Sequence, residues 1–133
     1  MKPKFETVGQ IRQGNPLFAY EDSSVFDVAT DLLHSRFTGM PVVDADRHVL
    51  GVVSEQDILR ALRGPRSLEE ITVKEIMTKS PIVVQEKTTL EEASKIMEDG
   101  HLHRLPVVED RVLVGTLTRH DLIRAWLGLS VEL

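Results

Sequence analysis

Two short segments place a hydroxyl and a carboxylate three residues apart at the end of an apolar run. They are Gly51-Val52-Val53-Ser54-Glu55-Gln56-Asp57 and Gly115-Thr116-Leu117-Thr118-Arg119-His120-Asp121. Where a strand becomes a helix, that spacing has two uses. Ser/Thr-x-x-Asp is a capping box, whose hydroxyl and carboxylate satisfy backbone N–H groups that the first helical turn leaves over. The same place also favours an anion, because free N–H groups and the positive end of the helix dipole face it. A carboxylate one turn in accepts both hydroxyls of a ribose. The second segment adds Arg119 and His120 inside the box, with His101, His103 and Arg104 just before Leu105-Pro106. That cationic cluster suits phosphate. The first segment has Glu55 and Gln56 instead, so poorer phosphate affinity is expected there. The chain repeats the capping device at Thr72/Glu75 and Thr89/Glu92, and in Gln form at Thr7/Gln10.

Other chemistry finds less support. His101 and His103 are spaced to ligate one metal from a strand, but no carboxylate completes a set, and no metal site is expected. His120 beside Asp121 has no activated nucleophile or oxyanion feature near it, so an enzyme is not expected. The chain has no cysteine, which excludes a disulfide framework, a thiolate zinc site and a cysteine nucleophile.

The elements that position these residues occur twice. At an offset of 65 residues Val8, Ile11, Pro16 and Glu21 align with Val73, Ile76, Pro81 and Glu86, and Pro41-Val42-Val43 with Pro106-Val107-Val108. One residue is then lost in a turn, and at offset 64 Gly51, Asp57, Arg60 and Ala61 match Gly115, Asp121, Arg124 and Ala125. Two tandem units follow, 8–63 and 73–128, joined by a linker over 64–72 that starts with Gly64-Pro65. Each unit reads as a short helical turn at Thr7 or Thr72, then a brief strand, Leu17–Tyr20 or Ile82–Val84. A helix comes next, over 24–35 or 89–99. Its apolar positions are Val25, Val28, Ala29, Leu32 and Leu33 in the first unit, and Leu90, Ala93, Ile96 and Met97 in the second. Two strands with continuous β-branched runs, 40–43 and 49–53 or 105–108 and 112–117, are expected to be buried on both faces. A last helix runs from Ser54 to Arg63 or from Thr118 to Leu127. Leu122 and Trp126, one turn apart on that helix, read as core. A unit of about 60 residues buries too little surface alone, which is the physical reason for a pair.

With 133 residues the chain is one modest domain or two small units. Its 16 basic and 21 acidic residues give a net charge of −5, which argues against a general polyanion binder, and 5% aromatic content argues against stacked single strands. Nucleic acid is therefore not an expected partner. No run approaches the roughly 20 apolar residues that span a bilayer, and no apolar segment follows the basic N-terminal residues. The expectation is a cytoplasmic protein without a membrane association.

The ordered set of an x-Pro-apolar strand, a Pro-Val-Val-Asp/Glu strand and Gly-h-h-Ser/Thr-x-x-Asp, present twice over residues 8–127, resembles a tandem pair of cystathionine-β-synthase (CBS) domains, the Bateman module. The resemblance implies a mixed α/β (α+β) fold of two pseudo-symmetric β-α-β-β-α repeats packed through their small sheets. It implies up to two adenosine ligands, such as AMP, ADP, ATP or S-adenosylmethionine, in the cleft between the repeats. Carried over, Asp57 and Asp121 bind ribose hydroxyls, while Ser54 and Thr118, with Arg119 and His120, contact phosphate or ribose. Thr38-Gly39-Met40 and His103-Arg104-Leu105 line the adenine or phosphate ends. Asn15-Pro16-Leu17 and Ser80-Pro81-Ile82 meet the adenine through backbone and apolar atoms. A homodimer formed through the repeat helices is also implied. The expected function is that of a stand-alone regulatory module sensing adenine nucleotides or S-adenosylmethionine. The alternative is a ligand-free dimerisation or protein-interaction module in which the boxes act purely as caps.

Overall fold

The computed structural model describes residues 2–129. Among these, the residues up to Pro16 and from Ile82 onward form one compact unit, and Leu17–Pro81 forms the other. The compact units thus exchange the lead-in segments of the sequence repeats. The opening segment folds with the second repeat, and the segment around 68–81 folds with the first.

The Leu17–Pro81 unit contains β1 (Ala19–Tyr20), α1 (Val25–Ser35), β2 (Gly39–Val43), β3 (Val49–Ser54), α2 (Glu55–Leu62), α3 (Val73–Ile76) and β4 (Thr78–Lys79). Its sheet has the order β1-β2-β3-β4, parallel at the first pairing and antiparallel at the other two. The other unit begins with a 3-10 turn (Val8–Gln10) and continues with β5 (Val84–Gln85), α4 (Leu90–Gly100), β6 (Arg104–Glu109), β7 (Val112–Thr118) and α5 (Arg119–Leu127). Its sheet is β5-β6-β7, with Gln13 bridged antiparallel to Thr116 on the outer side of β7. Gln13 there occupies the place that Thr78, its repeat counterpart, takes beside Val52.

Each sheet face is closed by its own helices. Val25, Val28 and Leu32 of α1 pack with Met40, Val42, Val53 and Ile58 in one core. Leu90, Ala93 and Met97 of α4 pack with Leu105, Val107, Leu117 and Leu122 in the other. Burying each such aliphatic side chain is worth about 1.5–3 kcal/mol relative to exposure. Leu33 departs from the expected helix face: it is 78% exposed, because a stripe of i, i+3, i+4 and i+7 from Val25 is filled by Val28 and Leu32 and leaves Leu33 outside. Trp126 is half-buried against the core that holds Leu122. The inner strands β2 and β6 are buried almost throughout, whereas β3 alternates, with only Gly51 and Val53 fully covered. The early strands are shorter than expected. β1 pairs only Ala19 with Val42 and Tyr20 with Val43, and β5 starts two residues after Ile82.

The one-residue change of offset lies in the hairpins. Asp110 and Arg111 both take positive φ, 49° and 69°, which makes the two-residue turn that matches strand twist. The longer first turn is held by Asp44, whose Oδ1 accepts the N–H groups of Asp46 and His48 at 2.9 Å each. Among the described residues no helix is long and apolar enough to cross a membrane.

Candidate functional site: the two strand-to-helix corners

Both Ser/Thr-x-x-Asp segments stand where a strand passes into a helix, at β3→α2 and β7→α5. In the first corner the Ser54 N–H donates to Asp57 Oδ2 at 2.9 Å, and the Asp57 N–H donates to Ser54 Oγ at 3.2 Å. In the second, the Thr118 N–H donates to Asp121 Oδ2 at 2.8 Å, and the Asp121 N–H donates to Thr118 Oγ1 at 3.1 Å. The next helical N–H is also taken: Glu55 donates to the Thr38 carbonyl at 2.9 Å and Arg119 to the His103 carbonyl at 3.2 Å. The capping reading is thus realised in full, and it brings the Thr38 and His103 carbonyls against the corners. The first-turn donor outside this set is the N–H of Gln56 or His120, both on exposed residues.

The carboxylates keep a second oxygen for other partners. Asp57 is 3% exposed and its Oδ1 accepts from Arg60 Nη2 at 3.2 Å. Asp121 is 1% exposed and its Oδ1 accepts from Gln13 Nε2 at 2.9 Å, with Arg124 Nη1 at 3.8 Å. Arg60 and Arg124 sit one turn along their own helices, a spacing that brings side chains together. Gln13 comes from far along the chain. Sequence reading missed it because one polar residue in an irregular segment carries no periodicity; only its alignment with Thr78 at offset 65 marks the position.

Around Asp121 the cations gather. Arg104 is half-buried at the start of β6 and pairs with Thr118 across the ladder. Burial lowers the pKa of its guanidinium, while the charge of Asp121 acts in the opposite sense; Arg104 stays a cation. Arg119 Nη2 donates to His103 Nδ1. A guanidinium can only donate, so His103 Nδ1 is the accepting atom of this contact. This arrangement turns His103 toward Arg119. The group of three metal-capable side chains found among the described residues lies elsewhere, at Asp44, Asp46 and His48 in the first hairpin, where Asp44 is already engaged by the turn.

Of the remaining residues implied by resemblance, Gly39 faces Ser54 in the β2/β3 register and its Cα leaves no room for a side chain: a Cβ would lie 2.8 Å from the Val53 carbonyl oxygen. Met40 and Leu105 are buried in the cores of their own units, so what they offer at the corners is backbone. Asn15 and Ser80, each just before a proline, both adopt positive φ, 50° and 57°. Positive φ is uncommon for residues other than glycine, and the same departure at matching positions of both repeats marks a shared backbone requirement. Leu17 packs against the core of the Leu17–Pro81 unit, and Ile82 is half-exposed.

The chain is similar to known proteins along its length. The family model for the CBS domain matches residues 8–64 and again 73–128. CBS domain-containing protein CBSX1, chloroplastic, of Arabidopsis thaliana is 33% identical over 93% of this chain, which spans 65% of that protein's length. The crystal structure of CBSX2 in complex with AMP superposes with a TM-score of 0.79 at 33% identity, covering 93% of this chain and 98% of that one. The CBS domain pair of MJ0100, in complex with 5′-methylthioadenosine and S-adenosyl-L-methionine, superposes with a TM-score of 0.74 at 28% identity over 92% and 96% of the two chains.

Proposed function

Since the chain belongs to the CBS-domain family, with two copies in tandem, we propose that it is a regulatory module that binds an adenosine-containing ligand and catalyses no reaction. Its ligand is AMP, ADP, ATP or S-adenosylmethionine. One observation carries this reading: a buried carboxylate, Asp121, stands at a helix N-terminus with Arg104, Arg119 and His103 close by. Carboxylate and cations together are the complement of a ribose bearing phosphate. The solved relatives that hold AMP or S-adenosylmethionine support the ligand class. The Ser54–Asp57 corner has Glu55 and Gln56 in place of Arg119 and His120 and serves as the weaker site. In this reading Asn15-Pro16-Leu17 and Ser80-Pro81-Ile82 meet adenine through backbone and apolar atoms, and Thr38-Gly39-Met40 and His103-Arg104-Leu105 line the adenine or phosphate ends.

The ligand acts by its differential affinity for two conformations, the only means by which binding shifts an equilibrium. Calorimetry with the full chain tests the reading: an adenosine ligand binds, and Asp121→Ala weakens it more than Asp57→Ala. Absence of binding by all four ligands at high micromolar concentration overturns it, and the reverse ranking overturns the site assignment.

A second reading has its own support. Each carboxylate already serves as a cap and has its other oxygen held by Gln13 or Arg60, as a ligand-free dimerisation or protein-interaction module would require. A melting temperature unmoved by every ligand favours it. In either reading the protein is a homodimer through its helices, supported by exposed Leu59 and Leu62 on α2 and Ile123 and Leu127 on α5. Sedimentation measures that state. The cytoplasmic location belongs to the same proposal and is read by fractionation, since one relative is described as chloroplastic.

A further inference from the structure

We propose that the side chain of Gln13 is an internal competitor for the ligand at Asp121, occupying the carboxylate oxygen that a ribose hydroxyl would take. The inference rests on the adenosine-binding reading above and adds to it the residue that sets affinity at the second corner.

Both oxygens of the Asp121 carboxylate already accept from donors within the fold. Oδ2 of Asp121 is committed to the helix cap through the Thr118 N–H. Oδ1 is the oxygen open to an outside donor, and it already accepts from the Gln13 carboxamide N–H at 2.9 Å, with Arg124 Nη1 3.8 Å away. With Asp121 only 1% exposed, a hydroxyl reaches Oδ1 only where that amide leaves. The donor it replaces is chemically alike: a neutral N–H for a neutral O–H on the same anionic acceptor.

The main chain of Gln13 is built to stay while its side chain moves. Its N–H donates to the Thr116 carbonyl at 2.9 Å and its carbonyl accepts from the Thr116 N–H at 3.0 Å. Swinging the side chain out therefore breaks one hydrogen bond and leaves the bridge to β7 in place. Gln13 is half-buried, so the released amide has a route to water.

The first corner differs in the strength of its competitor. Thr78, the counterpart of Gln13, is exposed, and the partner of Asp57 Oδ1 is instead Arg60, whose side chain is 64% exposed and easily taken up by solvent. Gln13 is thus a brake on one corner only. It opposes the advantage that Arg104 and Arg119 give that corner, and it limits the affinity difference between the two.

The test is titration of the full chain with AMP, as wild type and as Gln13→Thr, which installs the residue of the first repeat, with Gln13→Ala as a second variant. Circular dichroism confirms that each is folded. Removing the competitor is expected to tighten AMP binding on the order of tenfold, the size of one hydrogen bond to a charged group. A residue with a merely structural role moves affinity the other way or not at all. In the wild type, the side-chain amide resonances of Gln13 are expected to shift toward their solvent-exposed positions as AMP saturates. Affinity unchanged or weakened in both variants, or Gln13 amide resonances unmoved at saturation, overturns the inference while the binding reading stands. AMP bound by the variants alone supports it. AMP, ADP, ATP and S-adenosylmethionine bound by neither wild type nor variants overturns the binding reading, and this inference with it.

Discussion

Gly115 and Gln13 lie so close that a Cβ on residue 115 would sit 2.4 Å from the Gln13 carbonyl oxygen and 2.5 Å from the Arg12 side chain. The glycine that opens each Gly-h-h-Ser/Thr-x-x-Asp segment thus makes space for a neighbouring backbone to dock on the strand. Gly51 does the same, where a Cβ would lie 2.6 Å from the Thr78 carbonyl oxygen and 2.8 Å from Met77 Sδ. Backbone on both sides cannot yield as a flexible side chain can. Gly115→Ala and Gly51→Ala are each expected to destabilise the fold by about 1–3 kcal/mol, the range for a forced overpacking. Urea denaturation measures this. Loss of less than about 0.5 kcal/mol in both would show that the docked segments move aside freely.

Much of this architecture was legible in the chain because its signals are local or repeated. Ser54, Thr89 and Thr118 cap where their spacing to an acid predicts, with the box hydroxyl accepting the N–H three residues on. Strand and helix limits followed from doubled β-branched runs and doubled helical periods. What escaped sequence reading is non-local. The short strand β4 exists only because Gly51 accepts Lys79 opposite it, and neither Thr78 nor Lys79 carries a strand pattern of its own. The same holds for Gln13 at Asp121 and for the ion pair of Arg12 with Glu86 at 2.8 Å, partners 74 residues apart. Leu33 shows the opposite failure: an apolar residue adjoining a helical stripe is counted inside although the stripe is already full. Composition pointed away from polyanions in bulk, yet three cationic or imidazole side chains, Arg104, Arg119 and His103, converge on one corner of an acidic chain.

Acid sensitivity should begin in the segment that leads into α3. The Arg66 guanidinium donates to Glu75 at 2.8 Å, and the Thr72 N–H donates to the same carboxylate at 2.8 Å. Together they pull the Glu75 pKa from 4.5 down to about 2. A carboxyl whose pKa is lower folded than unfolded adds stability above the unfolded value and loses it as pH falls through the folded one. The contribution is therefore complete above about 4.5, shrinks below that, and is gone near 2. Because the pair is solvent-exposed, its size is modest. Thermal melts of wild type and Glu75→Gln at a series of pH values are expected to differ most near neutrality and to converge toward pH 2. A difference that stays constant with pH would show that Arg66 and Glu75 contribute no proton-linked stability.

Arg119 separates the phosphate from the nucleoside in the proposed ligand. Its side chain is exposed and held by His103, whose imidazole carries no negative charge, so the positive charge of Arg119 is not neutralised by that contact. Its backbone N–H is already bonded to the His103 carbonyl, so truncating the side chain leaves the capping network of α5 intact. Arg119→Ala is accordingly expected to keep the melting temperature of the free protein while weakening AMP several-fold and leaving adenosine affinity unchanged. An exposed cation meeting a phosphate gives a charge-assisted bond that salt screens. The wild-type preference for AMP over adenosine should then narrow as ionic strength rises, and the variant should show little of that dependence. Calorimetry with both ligands at two salt concentrations reads all four quantities. Equal losses for AMP and adenosine would place Arg119 away from the phosphate and make its pairing with His103 a purely structural contact.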